Sequence, residues 1–170
     1  SIKSDDVEKI ITIDVIALPH ISNFTDFNVF ERIPGVALRY IHKESELTDP
    51  DMIIIPGTLN TIGDLKWMRQ NGMEAAILKL AAANVPVLGI CGGYQMLGES
   101  IEDPDGEEGG GSLHGMGLLS VRTVFGKEKV QTRVTGEILQ NPGAGDGLFA
   151  ALCGSVFSGY EIHMGHTTGN

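Results

Sequence analysis

Residues 87–98 read VLGICGGYQMLG, and no other segment limits the fold as tightly. An apolar run over 85–90 ends at Gly89-Ile90-Cys91-Gly92-Gly93 and passes at once into a helical pattern. A strand that turns straight into a helix needs backbone angles and close approaches that a Cβ obstructs, which accounts for glycine on both sides of Cys91. Such a turn lifts the sulfur above the carboxyl end of the strand, where ligands sit in open α/β sheets. It also places the sulfur beside a helix N-terminus, whose partial positive charge favours thiolate over thiol. Cys91 is therefore the candidate nucleophile. Cys153, in ALCGSVF, has no helix onset after it and reads as structural.

The rest of the first half fits the same architecture. Apolar runs over 10–18, 36–42 and 52–55 predict strands, joined by the strand at 85–90. Helical patterns cover 27–32, 61–70, 74–83 and 92–99, the first stopped by Pro34-Gly35. Short apolar strands separated by helices indicate an α/β fold, a mostly parallel sheet with helices on both faces. The pattern changes after Ser100. The acidic, glycine-rich stretch 102–111 (EDPDGEEGGG) reads as a surface loop, and 140–147 (QNPGAGDG) as a second one. Residues 116–124 and 129–134 alternate polar and apolar, as antiparallel strands do, and 156–163 (VFSGYEIH) reads as the last strand. Together they predict a small antiparallel extension. Neither repeats nor a second domain are legible, and residues 1–9 read as a linker.

Composition excludes several functions. The chain has 170 residues, 42% of them hydrophobic, which suits one domain with its own core. Twelve basic against 22 acidic residues leave a formal charge of -10, which repels a phosphate backbone and argues against nucleic acid. Two cysteines are too few for a disulfide framework or a four-ligand zinc site. No apolar run approaches the roughly 18 residues of a membrane span, and the polar N-terminus is no signal peptide. The expectation is a soluble domain in a reducing compartment, the cytoplasm.

A cysteine nucleophile needs a base and donors for an oxyanion. Of the five histidines, His163 is best placed, at the end of the strand GYEIH, where it can reach the same edge as Cys91. His166 is its local rival, and His114 lies in a glycine-rich stretch. The backbone N–H of Gly92, directly after the nucleophile, is one candidate donor. The second comes from the strand-end turn Ile55-Pro56-Gly57-Thr58, with Gly57 leaving its amide open.

Several ordered motifs share one resemblance. GICGGYQMLG resembles the nucleophile turn of class I (triad-type) glutamine amidotransferases, whose fold is flavodoxin-like. IIIPGTLNTIGDL, GYEIHMG, LPHISNFTDF and DPDGEEGGGSLHGMGLL resemble the cobyric acid synthase branch, so the likeness runs from about residue 13 to 166. The resemblance implies the glutaminase domain of a longer enzyme. That enzyme's N-terminal ATP-dependent synthetase domain amidates adenosylcobyrinic acid a,c-diamide in cobalamin biosynthesis. The present chain then lacks that domain and the family's extreme C-terminus. Glutamine is the implied substrate, the synthetase domain the implied partner, and the corrinoid a partner through it. No cofactor or metal is implied here; with no G-x-x-x-x-G-K-[ST] loop in the chain, ATP and Mg are expected only in the synthetase domain.

Matched residue by residue, Cys91 corresponds to the nucleophile, His163 to the base, and Gly57 and Gly92 to the oxyanion turns. Gln95 and Tyr94 lie in the helix that helps hold glutamine. Class I enzymes commonly carry Glu two residues after the histidine, but Gly165 stands there, which implies a Cys–His dyad. Glu161, two residues before His163, points to the same face of the strand. His166 stands where the branch usually has Arg. Three rivals remain open at this point. They are a sister amidotransferase acting on cobyrinic acid or lipid II, a non-catalytic docking domain, and a thiol enzyme such as a cysteine protease on the same architecture.

Overall fold

The computed structural model describes residues 11–139 and 150–169. The stretch read as a linker (1–9), Ile10 and the loop expected at 140–147 lie outside them. The first half forms the expected parallel sheet. Strands β1 (Ile11–Ile16), β2 (Val36–Ile41), β3 (Met52–Ile55) and β4 (Val87–Gly89) stand in the order β2-β1-β3-β4, all parallel. Alternation along the strands divides the core in two. Ile16, Ile53 and Ile55 face one side, where helices α2 (Thr61–Gln70) and α3 (Met73–Ala82) bury Leu65, Met68, Met73 and Ile77 against them. Ile13, Val15 and Ile54 face the other side, covered by Phe27 and the short helix α1 (Asn28–Glu31). Asp14 is fully buried, and Arg39 of β2 pairs with both its oxygens at 2.7 Å. That hydrogen bond raises the Arg39 guanidinium above its ordinary value.

The second half departs from expectation in three places. The helix after Cys91, α4, covers only Gly92–Met96 instead of 92–99. The stretch read as a loop over 102–111 is mostly the turn of a hairpin. Strand β5 (Ser100–Asp103) runs into it and β6 (Gly111–His114) runs out, paired antiparallel. Three backbone N–H groups, of Glu107, Glu108 and Gly110, converge on the buried Asp103 carboxylate at 2.7 to 2.8 Å. Those bonds shape the turn over 104–110, so the expected loop is present and only its two ends, 102–103 and 111, belong to the paired strands. The strands expected at 116–124 and 129–134 are one strand, β7 (Val121–Glu137), and the last strand, β8 (Val156–Gly169), runs six residues past His163. They pair antiparallel and complete a second, mixed sheet in the order β6-β5-β7-β8. Ile101, Phe125 and Met96 join this sheet and α4 to the same core as α2 and α3.

Candidate active site

The carboxyl ends of β3 and β4 meet at the nucleophile turn. The Ile90 N–H donates to the Ile55 carbonyl at 3.0 Å, extending the β3–β4 ladder to the turn itself. Cys91 then takes φ 51° and ψ -114°, a conformation that costs a non-glycine residue about 1–3 kcal/mol. The flanking glycines therefore do not supply the unusual angles; the cysteine does. They permit contact instead. A Cβ on Gly93 would overlap the Ile55 carbonyl oxygen, and one on Gly92 would stand 2.7 Å from Thr58 Cγ2. Strain held at an exposed thiol on a packed junction is what a presented nucleophile requires.

The second strand-end turn is held from behind. Residues 20–22 run antiparallel to 57–59, with the Ser22 N–H on the Gly57 carbonyl at 2.9 Å and the Leu59 N–H on the His20 carbonyl at 3.0 Å. Asp64, fully buried on α2, accepts the Thr58 hydroxyl at 2.5 Å and bonds His20 Nδ1 at 2.7 Å. The N-terminus of α2 is capped twice, by Asn60 Oδ1 on the Gly63 N–H and by Glu108 Oε2 on the Ile62 N–H at 2.8 Å. The hairpin turn at 104–110 thus braces the helix that follows the 56–60 turn.

Strand β8 closes the site from the other sheet. The Cys91 Sγ rests 3.8 Å from the Ile162 carbonyl, one residue before His163. His163 Nδ1 lies 2.9 Å from the carbonyl oxygen of Gly165, and its Nε2 lies 2.7 Å from Glu161 Oε1. Both partners are acceptors, so both bonds hold together only when each ring nitrogen carries hydrogen. Gly165 has φ 83°, and a Cβ there would press on Thr123 and Phe125 at 3.2 and 3.3 Å. A side chain is excluded where class I enzymes commonly place Glu, and a backbone carbonyl meets the imidazole instead. Glu161 does reach His163, as the shared strand face allowed.

The buried Gln95 links these pieces: its Nε2 donates to the Met164 carbonyl at 2.9 Å, and the Thr61 hydroxyl lies 3.5 Å from its Oε1. Much of its hydrogen-bonding capacity is committed to α2 and β8. Cys91, His163, Gly57, Tyr94 and Gln95 all line one cavity of about 890 Å³. Gly92 is buried and opens α4, at the end of a helix where backbone N–H groups lack intrahelical partners. His166 also lines the cavity, whereas His114 and Cys153 do not. Ser22, Asn23 and Asp26, not singled out from the sequence, line the same cavity. Their only signal was their place in the segment LPHISNFTDF. The Gly57 N–H is already engaged, by Asn23 Oδ1 at 2.9 Å.

Comparisons with known proteins identify the family and the fold. Residues 12–170 match the model of the CobB/CobQ-like glutamine amidotransferase domain, and the chain belongs to that family. It is 57% identical over 158 residues to a cobyric acid synthase of Ruminiclostridium cellulolyticum, covering 93% of this chain and 30% of that protein. The cobyric acid synthase of Yersinia enterocolitica is 50% identical, with 95% and 31% covered. The chain thus spans about 30% of the length of these relatives. Two solved structures share the fold. A glutamine amidotransferase superposes with a TM-score of 0.58 at 18% identity, covering 89% of this chain and 70% of that one. PurLQS from Thermotoga maritima does so with 0.67 at 20%, covering 94% and 70%.

Proposed function

We propose that this domain hydrolyses glutamine through a Cys91 thioester and supplies ammonia to the remainder of a cobyric acid synthase. One observation carries the reading: the strained, exposed Cys91 and the imidazole of His163 line the same cavity as the Gly57 turn. The Cys91 thiolate attacks the side-chain carboxamide carbon of glutamine. The N–H groups of Gly92 and Gly57 receive the oxyanion, the latter once Asn23 has given way. His163 gives its Nε2 proton to the departing nitrogen once that N–H has left Glu161, the C–N bond breaks, and ammonia leaves a γ-glutamyl thioester. His163 then takes a proton from water, whose oxygen attacks the thioester, the C–S bond breaks, and glutamate and the Cys91 thiolate are released. The Gly165 carbonyl keeps a proton on Nδ1 throughout, so that Nε2 is the nitrogen that exchanges protons, the part an aspartate plays in a serine protease triad. Tyr94 and Gln95 shape the wall of the glutamine pocket.

In this reading residues 1–170 are one glutaminase domain of a longer polypeptide. A synthetase domain holds ATP and Mg and amidates the corrinoid, adenosylcobyrinic acid a,c-diamide, while the glutaminase chemistry needs no cofactor. Among the described residues no helix is long and apolar enough to cross a membrane. A free-thiol nucleophile suits a reducing compartment, and the cytoplasm is the expected location.

The test is 6-diazo-5-oxo-norleucine, a glutamine-like electrophile, applied to the full-length protein with peptide mass spectrometry of the adduct. Stoichiometric labelling of Cys91, blocked by glutamine and absent from Cys153, is expected. Cys91→Ala should lower glutamine-dependent amidation by at least about 10⁴-fold, as loss of a nucleophile does elsewhere. Amidation from added ammonium should persist. Loss of both activities in a folded variant would reject the division of labour.

A further inference from the structure

Resting on that reading, we propose that Asn23 is a built-in occupant of the substrate's carboxamide position, which glutamine must displace before hydrolysis begins. Its side chain presents the same group as the scissile end of glutamine. Asn23 Oδ1 accepts the Gly57 N–H at 2.9 Å, within the cavity that Cys91 and His163 line. A backbone N–H has one hydrogen, so it does not serve Asn23 and an oxyanion together at full strength. A Cβ on Gly57 would stand 3.1 Å from Asn23 Oδ1, so the carboxamide lies directly over the peptide that must receive substrate.

Two further observations separate an occupant from a brace. Asn23 sits at the N-cap of the short helical turn Phe24–Phe27, a place where Asn ordinarily bonds the helix's own N–H groups, yet its side chain makes no capping bond. It is turned to Gly57 instead. The 56–60 turn, moreover, is already fastened by the Ser22 N–H, by the His20 carbonyl and by Asp64 through Thr58. Removing Asn23 therefore leaves the turn in place and frees its donor.

The experiment measures, in the full-length polypeptide without acceptor substrate, both glutamine hydrolysis and the rate at which 6-diazo-5-oxo-norleucine labels Cys91. Asn23→Ala should raise both about threefold to tenfold, the worth of one net hydrogen bond. Asn23→Asp should lower both below the unsubstituted protein, because a carboxylate holds the N–H more strongly and repels the thiolate. A folded Ala variant with unchanged or slower rates overturns the proposal and makes Asn23 a brace. If the Ala variant does not fold, the Asp variant decides: slower supports the occupant, equal or faster overturns it. Labelling absent from every variant, the unsubstituted protein included, rejects the glutamine reading itself and this inference with it. Normal labelling that is indifferent to Asn23 rejects the inference alone.

Discussion

The two residues proposed to do the chemistry come from unlike surroundings. Cys91 rises from the parallel sheet, where Val15, Ile16, Ile53, Ile54 and Ile55 are fully buried. His163 lies on the β7–β8 ribbon, and among residues 129–137 and 156–164 none is buried. Between the two the ribbon is irregular: residues 125–128 of β7 face Gly165 alone, and Phe125 turns into the core there. The packed half holds strain, because its junction over-determines the backbone of Cys91. The ribbon holds none; a two-stranded ribbon exposed on both sides is marginal by itself. The turns that carry Cys91 and Gly57 are thus held in place by packing, whereas His163 is placed by local hydrogen bonds to Gly165 and Glu161 and, through Met164, by Gln95.

Substitutions that add one methyl group break this comparison most sharply. Gly93→Ala forces a Cβ into the Ile55 carbonyl and should destabilise the protein by about 3 kcal/mol, the upper range of overpacking, with turnover lost. Gly159→Ala on the ribbon meets nothing within 4 Å and should stay within about 0.5 kcal/mol. Urea midpoints of the two variants check the contrast, and equal midpoints would erase it.

Glu161→Gln probes the base rather than the frame. It removes the carboxylate 2.7 Å from His163 Nε2 at an exposed site. The change should leave the melting temperature within a degree or two and lower glutamine-dependent kcat about tenfold, less than loss of the general acid itself would. Steady-state kinetics with glutamine, paired with ammonium-dependent rates that stay unchanged, tests it. A rise in KM alone would move Glu161 to substrate binding.

The smallest effect concerns acid. Burial by itself would raise the Asp103 carboxyl, but the N–H groups of Glu108, Gly110, Glu107 and Gly106 outweigh it and hold the group below its ordinary range. Its contribution to stability is complete above the unfolded-state value of about 3.9 and is lost as pH falls through the lower folded-state value. Asp103→Asn should therefore flatten the stability curve below about pH 4. Since Glu108 of the same turn caps α2, the variant should also disturb the oxyanion side of the site before it disturbs the ribbon. Hydrogen exchange of the Ile62 and Gly63 amides against those of β8 distinguishes the two.

Much of the packed half was legible, because its signals are local. Strand β3 at 52–55 and helix α2 at 61–70 match their expected bounds, and the glycines around Cys91 stand where a strand meets a helix. The second half was harder to read. The turn over 104–110 owes its shape to one buried carboxylate, and β7 keeps its identity through an irregularity that breaks its alternation. Neither leaves a periodic trace. His163 was singled out as a strand-end histidine, although β8 continues past it to Gly169, and Asn23 was quoted only within a motif, although it lines the same cavity.

The sequence by itself determined the glycine-flanked turn that carries Cys91, the parallel α/β frame and the families it resembles, since each depends on neighbours a few residues apart. Tertiary structure alone decided what each group touches. Asn23 reaches Gly57 across 34 residues, and Cys91 meets β8 across 71. Gln95 reaches the Met164 carbonyl across 69. Hydrogen-bond partners are chosen by distance and angle within a few tenths of an ångström, and a linear pattern of apolar and polar residues carries no such measure.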